Sequence, residues 1–142
     1  MIINGKEIAE EIISALERER ASLPPVLKLG FVMGEGDEAS ASFIRIKERI
    51  ANRLRVVVIK EEIKTTKDAL ASIGRLTKST NGIIVQLPLP QGVDTDAVLA
   101  AVPKEKDIDF SNPPVAAAIG EVLKRSKFDF VSRTIPARAV VV

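Results

Sequence analysis

Short apolar runs that alternate with longer amphipathic segments constrain this chain more than any other feature of its sequence. The runs lie at 26–33, 56–59 and 82–86, and the segments between them, 40–54 and about 65–80, repeat apolar residues at helical spacing. Strands joined by helices usually lie parallel in one sheet. The pattern therefore predicts an α/β fold with a mainly parallel sheet covered by helices on both faces.

The remaining elements follow from their ends. An amphipathic helix over 6–22 stops at two prolines, and the β-branched run at 56–59 is typical of a strand buried on both faces. Asp94 or Thr95 should cap a short helix that ends near 101, and Thr65 or Thr66 should cap the helix before the last strand. Two prolines in the Leu-Pro-Leu-Pro segment at 87–90 should end the strand that begins at 82, so that it stops near Gln86. A further helix should begin at 113–114 and run to about Lys127, before a loop and a final apolar run.

Composition limits the kinds of chemistry available to the chain. The 142 residues suit one domain over 1–142, and the 21 basic and 19 acidic side chains give a net charge of +2 without a basic stripe, so no nucleic-acid partner is expected. The chain has no cysteine and no histidine, which excludes disulfides, zinc–thiolate sites and Ser-His or Cys-His catalysis. Neither a signal-peptide core nor a run of about 20 apolar residues is present. We therefore expect no membrane partner, no metal and a cytoplasmic location.

Three groups of residues could carry chemistry. Ser40, Phe43 and Lys47 share one face of a predicted helix, although an aromatic core residue beside a solvated lysine is the commoner meaning of that spacing. Gln86 stands at the carboxyl end of a buried strand, where open parallel sheets bind ligands. The pair at 107 and 109 adds two carboxylates, which by themselves suit a solvated loop equally well.

Taken in order, these residues resemble the methylenetetrahydrofolate dehydrogenase/cyclohydrolase family. The segment 4–9 is similar to the family's start, Phe43-x-x-x-Lys47 occupies its Tyr-x-x-x-Lys motif, and Val-Gln-Leu-Pro-Leu-Pro at 85–90 is identical to its most specific hexapeptide. Lys-Asp-Ile-Asp at 106–109 resembles its Lys-Asp-Val-Asp-Gly. The resemblance implies an amino-acid-dehydrogenase-like N-terminal domain that binds folate, without the Rossmann domain that follows it in the family.

The resemblance also implies roles for individual residues. Lys47 would be the central catalytic group in hydrolysis of the methenyl bridge, Gln86 would position it, and Phe43 would offer an aromatic face to the aminobenzoate ring. Asp109 would hydrogen-bond the pterin, whose donor-rich edge suits a carboxylate. The implied substrate-binding residues are Ser40, Phe43, Val85, Leu87, Pro88 and Asp109.

The chain departs from the family pattern at three places. Phe43 lacks the tyrosine hydroxyl, Phe110 stands where a glycine follows the second aspartate, and 134–139 only loosely resembles a Pro-Cys-Thr-Pro segment. NADP or NAD is implied for the full-length family, whereas this chain alone should bind no cofactor, because we expect it to end before the cofactor-binding domain. It should therefore not act as a dehydrogenase by itself, and the resemblance further implies a homodimer. The rival hypotheses are a catalytically degenerate folate-binding module and a purely structural or dimerisation module.

Overall fold

The computed structural model describes residues 3–36, 38–111 and 113–125. Predictions for the loop and apolar run after 125, for the end of the last helix at Lys127 and for the segment 134–139 lie outside the described residues. The order of elements confirms the predicted alternation of strands and helices, and the boundaries lie within about two residues of those expected except for the second strand, which ends at Ile63 and not at Ile59. These elements are α1 (Gly5–Arg20), β1 (Leu27–Gly34), α2 (Glu38–Arg53), β2 (Val56–Ile63), α3 (Thr66–Ser79), β3 (Gly82–Val85), α4 (Thr95–Ala100) and α5 (Pro114–Arg125).

The three strands form one parallel sheet in the order β2-β1-β3. Leu27 lies opposite Val56 at the start of the β1–β2 ladder, and Leu29 lies opposite Gly82 in the β1–β3 ladder. Because β1 and β3 are parallel neighbours, the segments that follow them leave from the same edge of the sheet. This arrangement brings α2 and the chain after Val85 to one end of the domain.

Apolar side chains cover both faces of the sheet, which confirms the predicted layers. On one face, buried residues of β1 and β3 pack with α3 and α4; on the other, buried residues of β1 and β3 pack with Ile44 of α2. Alternation along β1 explains the division, since Val32 belongs to the first cluster and Phe31 and Met33 to the second. The helix that carries Lys47 is thus seated on the sheet face that contains Phe31.

Strand β2 corrects one prediction. We expected 56–59 to be buried on both faces, but β2 lies at the edge of the described sheet, and Val57 remains 49% exposed. Along β2, exposed residues recur between partly buried ones. The strand continues through Lys60 to Ile63 because β1 supplies eight consecutive pairing partners, all on one side of β2. A β-branched run reports strand propensity, whereas its position in the sheet depends on the other strands.

Side-chain caps fix the starts of three helices, and those of α3 and α4 were suggested by the sequence. Thr65 caps α3 through a reciprocal pair of hydrogen bonds with Asp68, and Asp94 caps α4 by accepting from the amide of Ala97. Asn4 caps α1 in the same way. Among the helices in the described ranges, none has the length and apolar character needed to cross a membrane.

Candidate functional site

Gln86 is held at the carboxyl end of the sheet. Its amide donates to the carbonyl of Val32 at 2.8 Å, which extends the β1–β3 pairing by one residue, and its side-chain Nε2 donates to the carbonyl of Leu87 at 3.0 Å. The peptide bond between Leu87 and Pro88 is cis. These contacts leave the side-chain oxygen of Gln86 as the atom directed at α2.

Lys47 brings that oxygen and a carboxylate together. Its Nζ atom lies 3.1 Å from Oε1 of Gln86 and 3.3 Å from Oδ2 of Asp109, and it stands 5.9 Å from the centroid of the Phe31 ring. The side chains of Lys47 and Asp109 are 34% and 30% exposed, so the pair is half-buried and accessible. We call Lys47, Gln86 and Asp109 the lysine cluster.

The loop that carries Asp109 is organised by a second carboxylate, that of Asp107. It accepts hydrogen bonds from the amides of Asp109, Phe110 and Ser111 and from the hydroxyl of Ser111. Burial alone would raise the pKa of the Asp107 carboxyl, but the hydrogen bonds from the Ser111 hydroxyl and the three amides outweigh it and hold the pKa below its usual value. Asp107 is therefore ionised at neutral pH.

A cleft of about 240 Å³ opens beside the lysine cluster. Its walls come from β3 and the following turn, from the end of α4, from the loop at 107–110 and from the start of α5. Apolar side chains predominate, with Gln86, Asp107 and Asp109 as the polar groups. This combination of an apolar wall and a few convergent polar groups is typical of small-molecule sites.

A larger cleft, of about 670 Å³, lies between the end of α1 and the end of α2. Two of its guanidinium groups are already engaged, since Arg20 donates to the carbonyls of Pro24, Pro25, Leu54 and Arg55, and Arg53 pairs with two carboxylates of α1. This cleft contains no residue of the lysine cluster, and its charged groups hold α1 against α2. We therefore assign it a structural role.

The structure gathers some of the sequence-predicted residues and separates others. Val85, Gln86, Leu87 and Asp109 line the smaller cleft, and Lys47 contacts two of them. Phe43 is 61% exposed, whereas Ser40 is buried on the same helix and Pro88 is exposed. Shared helix spacing therefore did not place Ser40 and Phe43 in equivalent surroundings, and the roles given to all these residues remain predictions.

Three residues of this region were given no role in the site from the sequence, although positions 107 and 110 were noted there. Phe31 underlies Lys47, Asp107 orders the loop, and Phe110 lines the cleft while remaining 62% exposed. The alternation along β1 could have placed Phe31 on the face covered by α2. The contacts of Asp107 and Phe110 depend on a loop conformation that periodicity does not report.

The described residues do not fit a nicotinamide dinucleotide at the turn from β1 to α2. That turn carries Gly34 and Gly36, the latter with φ +72°, but the sequence places acidic residues at 35, 37 and 38. Glu35 is paired with Lys64 at 2.7 Å. Negative charge at a helix start disfavours a pyrophosphate, which needs a positive N-terminus and open amides. In the described ranges, no group of three or more acidic residues could hold a metal ion.

The fold and the lysine cluster define an α/β domain that places its polar groups at the carboxyl end of a parallel sheet. Such domains bind small molecules at that edge. The chain belongs to the tetrahydrofolate dehydrogenase/cyclohydrolase family, whose catalytic-domain model matches residues 3–109. The matched residues include the whole lysine cluster.

Relatives and solved structures support this family. The chain is 36% identical over 118 residues to a bifunctional protein FolD of Methanosphaerula palustris and 32% identical over 123 residues to one of Staphylococcus aureus, covering 80% and 79% of this chain. It spans only 42% of the length of either relative.

Among solved structures, a 5,10-methylenetetrahydrofolate dehydrogenase from the silkworm, Bombyx mori, matches with TM-score 0.81 and 27% identity over 90% of this chain and 52% of that one. A bifunctional 5,10-methylenetetrahydrofolate dehydrogenase/cyclohydrolase from Thermoplasma acidophilum matches with TM-score 0.65 and 33% identity over 85% of this chain and 46% of that one. These likenesses agree with the folded core described above.

Proposed function

We propose that this chain is the folate-binding catalytic part of a methylenetetrahydrofolate dehydrogenase/cyclohydrolase, and that Lys47 assists hydrolysis of the methenyl bridge. The observation that carries the proposal is the placement of Nζ of Lys47 between the amide of Gln86 and the carboxylate of Asp109, beside an apolar cleft. Family membership and the names of the matched solved structures supply the substrate class.

The chemistry of the hydrolysis suits this arrangement. Water adds to the cationic methenyl carbon, the adduct loses a proton, and one carbon–nitrogen bond breaks to leave a formyl group, so that one water is consumed and one proton is released overall. Lys47 is the member of the cluster that can relay a proton between the adduct and the departing nitrogen. Gln86 and Asp109 limit the positions open to its ammonium group.

Folate binding would use Asp109 and the apolar wall for the pterin, and Phe43 for the aminobenzoate ring. Asp109 is 30% exposed and can accept from the donor-rich edge of a pterin, while Leu87 and the neighbouring apolar wall can cover the ring. Phe43, which is exposed, can stack on the aminobenzoate ring. The dehydrogenase step would need NADP or NAD held by further polypeptide. A Trypanosoma brucei methylenetetrahydrofolate dehydrogenase-cyclohydrolase of similar fold was solved complexed with NADP and an inhibitor.

The decisive experiment is hydrolysis of methenyltetrahydrofolate by the purified chain, followed by absorbance and corrected for the uncatalysed rate. Loss of a positioned proton-transfer group costs about 10²- to 10⁴-fold, so Lys47→Ala should lose at least about 10²-fold in kcat. Lys124→Ala is the matched control, because Lys124 is also paired with one carboxylate, that of Glu121 at 2.9 Å, but lies on α5. Equal activities of the two variants would reject the assignment of Lys47.

A degenerate folate-binding module is the second candidate, and Phe43 and Phe110 favour it. Phe43 keeps an aromatic face but has no hydroxyl to share a proton with Lys47. If the natural chain binds folate without turnover and Phe43→Tyr restores hydrolysis, the degenerate module is correct. If none of the variants binds folate by titration calorimetry, both candidates fail.

A homodimer and a cytoplasmic location belong to the same proposal. The β2 edge supports the dimer, since β2 pairs with β1 along one side and Val57 is half exposed there. Val57→Lys should shift a dimer toward monomer in sedimentation equilibrium, because a buried lysine would face the partner. An unchanged mass would exclude β2 as the contact.

A further inference from the structure

The loop between α4 and α5 is built around the carboxylate of Asp107. One oxygen, Oδ1, accepts from the amides of Asp109 at 3.2 Å and Phe110 at 2.9 Å. The other, Oδ2, accepts from the amide of Ser111 at 2.8 Å and from the Ser111 hydroxyl. Four donors therefore converge on one side chain, and one of them is the amide of Asp109 itself.

The base of this loop is fixed to the sheet. The amide of Ile83 in β3 donates to the carbonyl of Lys106 at 2.7 Å, and Ile83 and Asp107 form an isolated parallel bridge. The ammonium group of Lys106 also donates to the carbonyl of Thr80. Asp107 is thus paired with β3 in the core. The residues that its carboxylate binds, 109–111, follow it directly, and Asp109 among them contacts Lys47.

We propose that Asp107 is a positioning residue, which holds Asp109 at Lys47 through the backbone of the loop. This inference deepens the proposed function, on which it rests for any effect on turnover. Asp109 reaches Lys47 across 62 positions of sequence, and its own amide is tied to the carboxylate two residues earlier. Phe110 follows where a glycine stands in the family motif, and its amide is tied to the same carboxylate at 2.9 Å.

Two other aspartates that accept hydrogen bonds from backbone amides show why this role is distinct. The carboxylate of Asp68 accepts from the amide of Thr65 in the capping box of α3, and Asp94 caps α4 by accepting from the amide of Ala97; the hydrogen bonds of neither carboxylate involve the lysine cluster. Replacing either one should affect stability alone. Replacing Asp107 should change stability and also the environment of Lys47.

Asp107→Asn is the informative change because it keeps the volume of the side chain. Asparagine has only one acceptor oxygen, so it can accept from the two donors at one of the original oxygens. Its amide nitrogen, which is itself a donor, would then face the other two donors. The loop should then rearrange and move Asp109 from Lys47. Asp68→Asn is the matched control, since it alters a carboxylate that is likewise hydrogen-bonded to a backbone amide and a hydroxyl.

The experiment measures how fast Lys47 reacts with a limiting amine-acylating reagent, by peptide mass spectrometry, relative to Lys124 in the same sample. The 3.3 Å contact with Asp109 restrains the Lys47 side chain and covers part of its nitrogen, so Asp109→Asn should raise the relative rate roughly two- to fivefold, as a partly exposed ion pair allows. Asp107→Asn should raise it similarly, the double variant should react no faster than either single variant, and Asp68→Asn should match the natural chain.

Several outcomes would overturn the inference. It fails if Asp107→Asn leaves the Lys47 rate unchanged while amide exchange at Phe110 and Ser111 accelerates, or if the two substitutions multiply in the double variant. Should Asp107→Asn not fold, Ser111→Ala removes only the hydroxyl donor and must raise the rate in the same direction, by a smaller factor. An unchanged rate in that variant refutes the inference too.

Turnover separates this inference from the proposed function. If the reactivity pattern is found but the chain hydrolyses no methenyltetrahydrofolate and binds no folate, the proposed function fails and the positioning role stands. If hydrolysis depends on Lys47 but Asp107→Asn behaves like Asp68→Asn in both assays, the positioning role fails and the proposed function stands.

Discussion

Replacement of Gly30 by alanine tests the packing that seats α3 on the sheet. Gly30 lies in the middle of the central strand, and an added Cβ would stand 2.9, 3.0 and 3.2 Å from three carbons of Leu76. Ordinary carbon contacts are about 3.5–4.0 Å, and Leu76 is fully buried and has little room to withdraw. Gly30→Ala should therefore force the strand and helix apart.

The magnitude follows from two opposing effects. Overpacking a well-packed core costs about 1–3 kcal/mol, whereas restricting the unfolded chain recovers about 0.4–1 kcal/mol because an extended strand residue accepts alanine. The free energy of unfolding should fall by about 1–2 kcal/mol, which corresponds to a urea midpoint lower by roughly 0.5–1 M. Chemical denaturation followed by circular dichroism measures this shift.

Two further variants make the reasoning refutable. Leu76→Ala alone should cost about 2–5 kcal/mol, but with Gly30→Ala the new methyl group enters the vacated space, so the pair should cost less than the two singles together by about 1 kcal/mol or more. Gly74→Ala is the control: its Cβ would meet nothing within 4 Å, and this exposed helical site should gain about 0.5–1 kcal/mol. A Gly30→Ala protein as stable as the natural chain, or strict additivity, would refute the packing argument.

Three more predictions concern caps, pH and the lysine cluster. Thr65→Ala removes a cap of α3 and should lower the free energy of unfolding by about 1 kcal/mol, with Thr65→Ser close to the natural chain in denaturation. Because its folded pKa is lowered, the Asp107 carboxylate contributes stability that is present above the unfolded pKa of about 3.9 and is lost as pH falls through the folded value. The stability difference between the natural chain and Asp107→Asn should thus be constant from pH 7 to about 5 and shrink below about pH 4; a difference that grows on acidification contradicts this. Phe31→Leu removes the ring 5.9 Å from Nζ of Lys47 and should alter the Lys47 acylation rate with less effect on Lys124; equal changes at both lysines would exclude a local contact.

Local periodicity predicted most of the fold. The cap at Thr65, the strand beginning at Gly82 and its end near Gln86 depend on propensities and proline chemistry that act within a few residues. Strand β2 was misjudged because its exposure depends on how many strands the sheet contains, which local sequence does not report. Its residues Val56–Ile63 pair along one side only.

The candidate site was predictable in its parts and not in its geometry. Gln86 was found at a strand end and Lys47 on a helix, and the family motif indicated Asp109. The contacts of Phe31 and Asp107 arise from the packing of α2 on β1 and from a loop closed by four hydrogen bonds. Such contacts join residues whose proximity no short pattern encodes.

The residues of the lysine cluster are far apart in the sequence, and this separation links ligand binding to the folding equilibrium. Lys47 meets Gln86 across 39 positions and Asp109 across 62, so the contacts exist only when β1, β3 and α2 are assembled. An unfolded chain offers no partial version of this cluster to a ligand. A compound that occupies it at 100 times its dissociation constant would raise the free energy of unfolding by about 2.7 kcal/mol. Thermal melting of the whole chain can thus rank candidate folates and their fragments without any turnover being required.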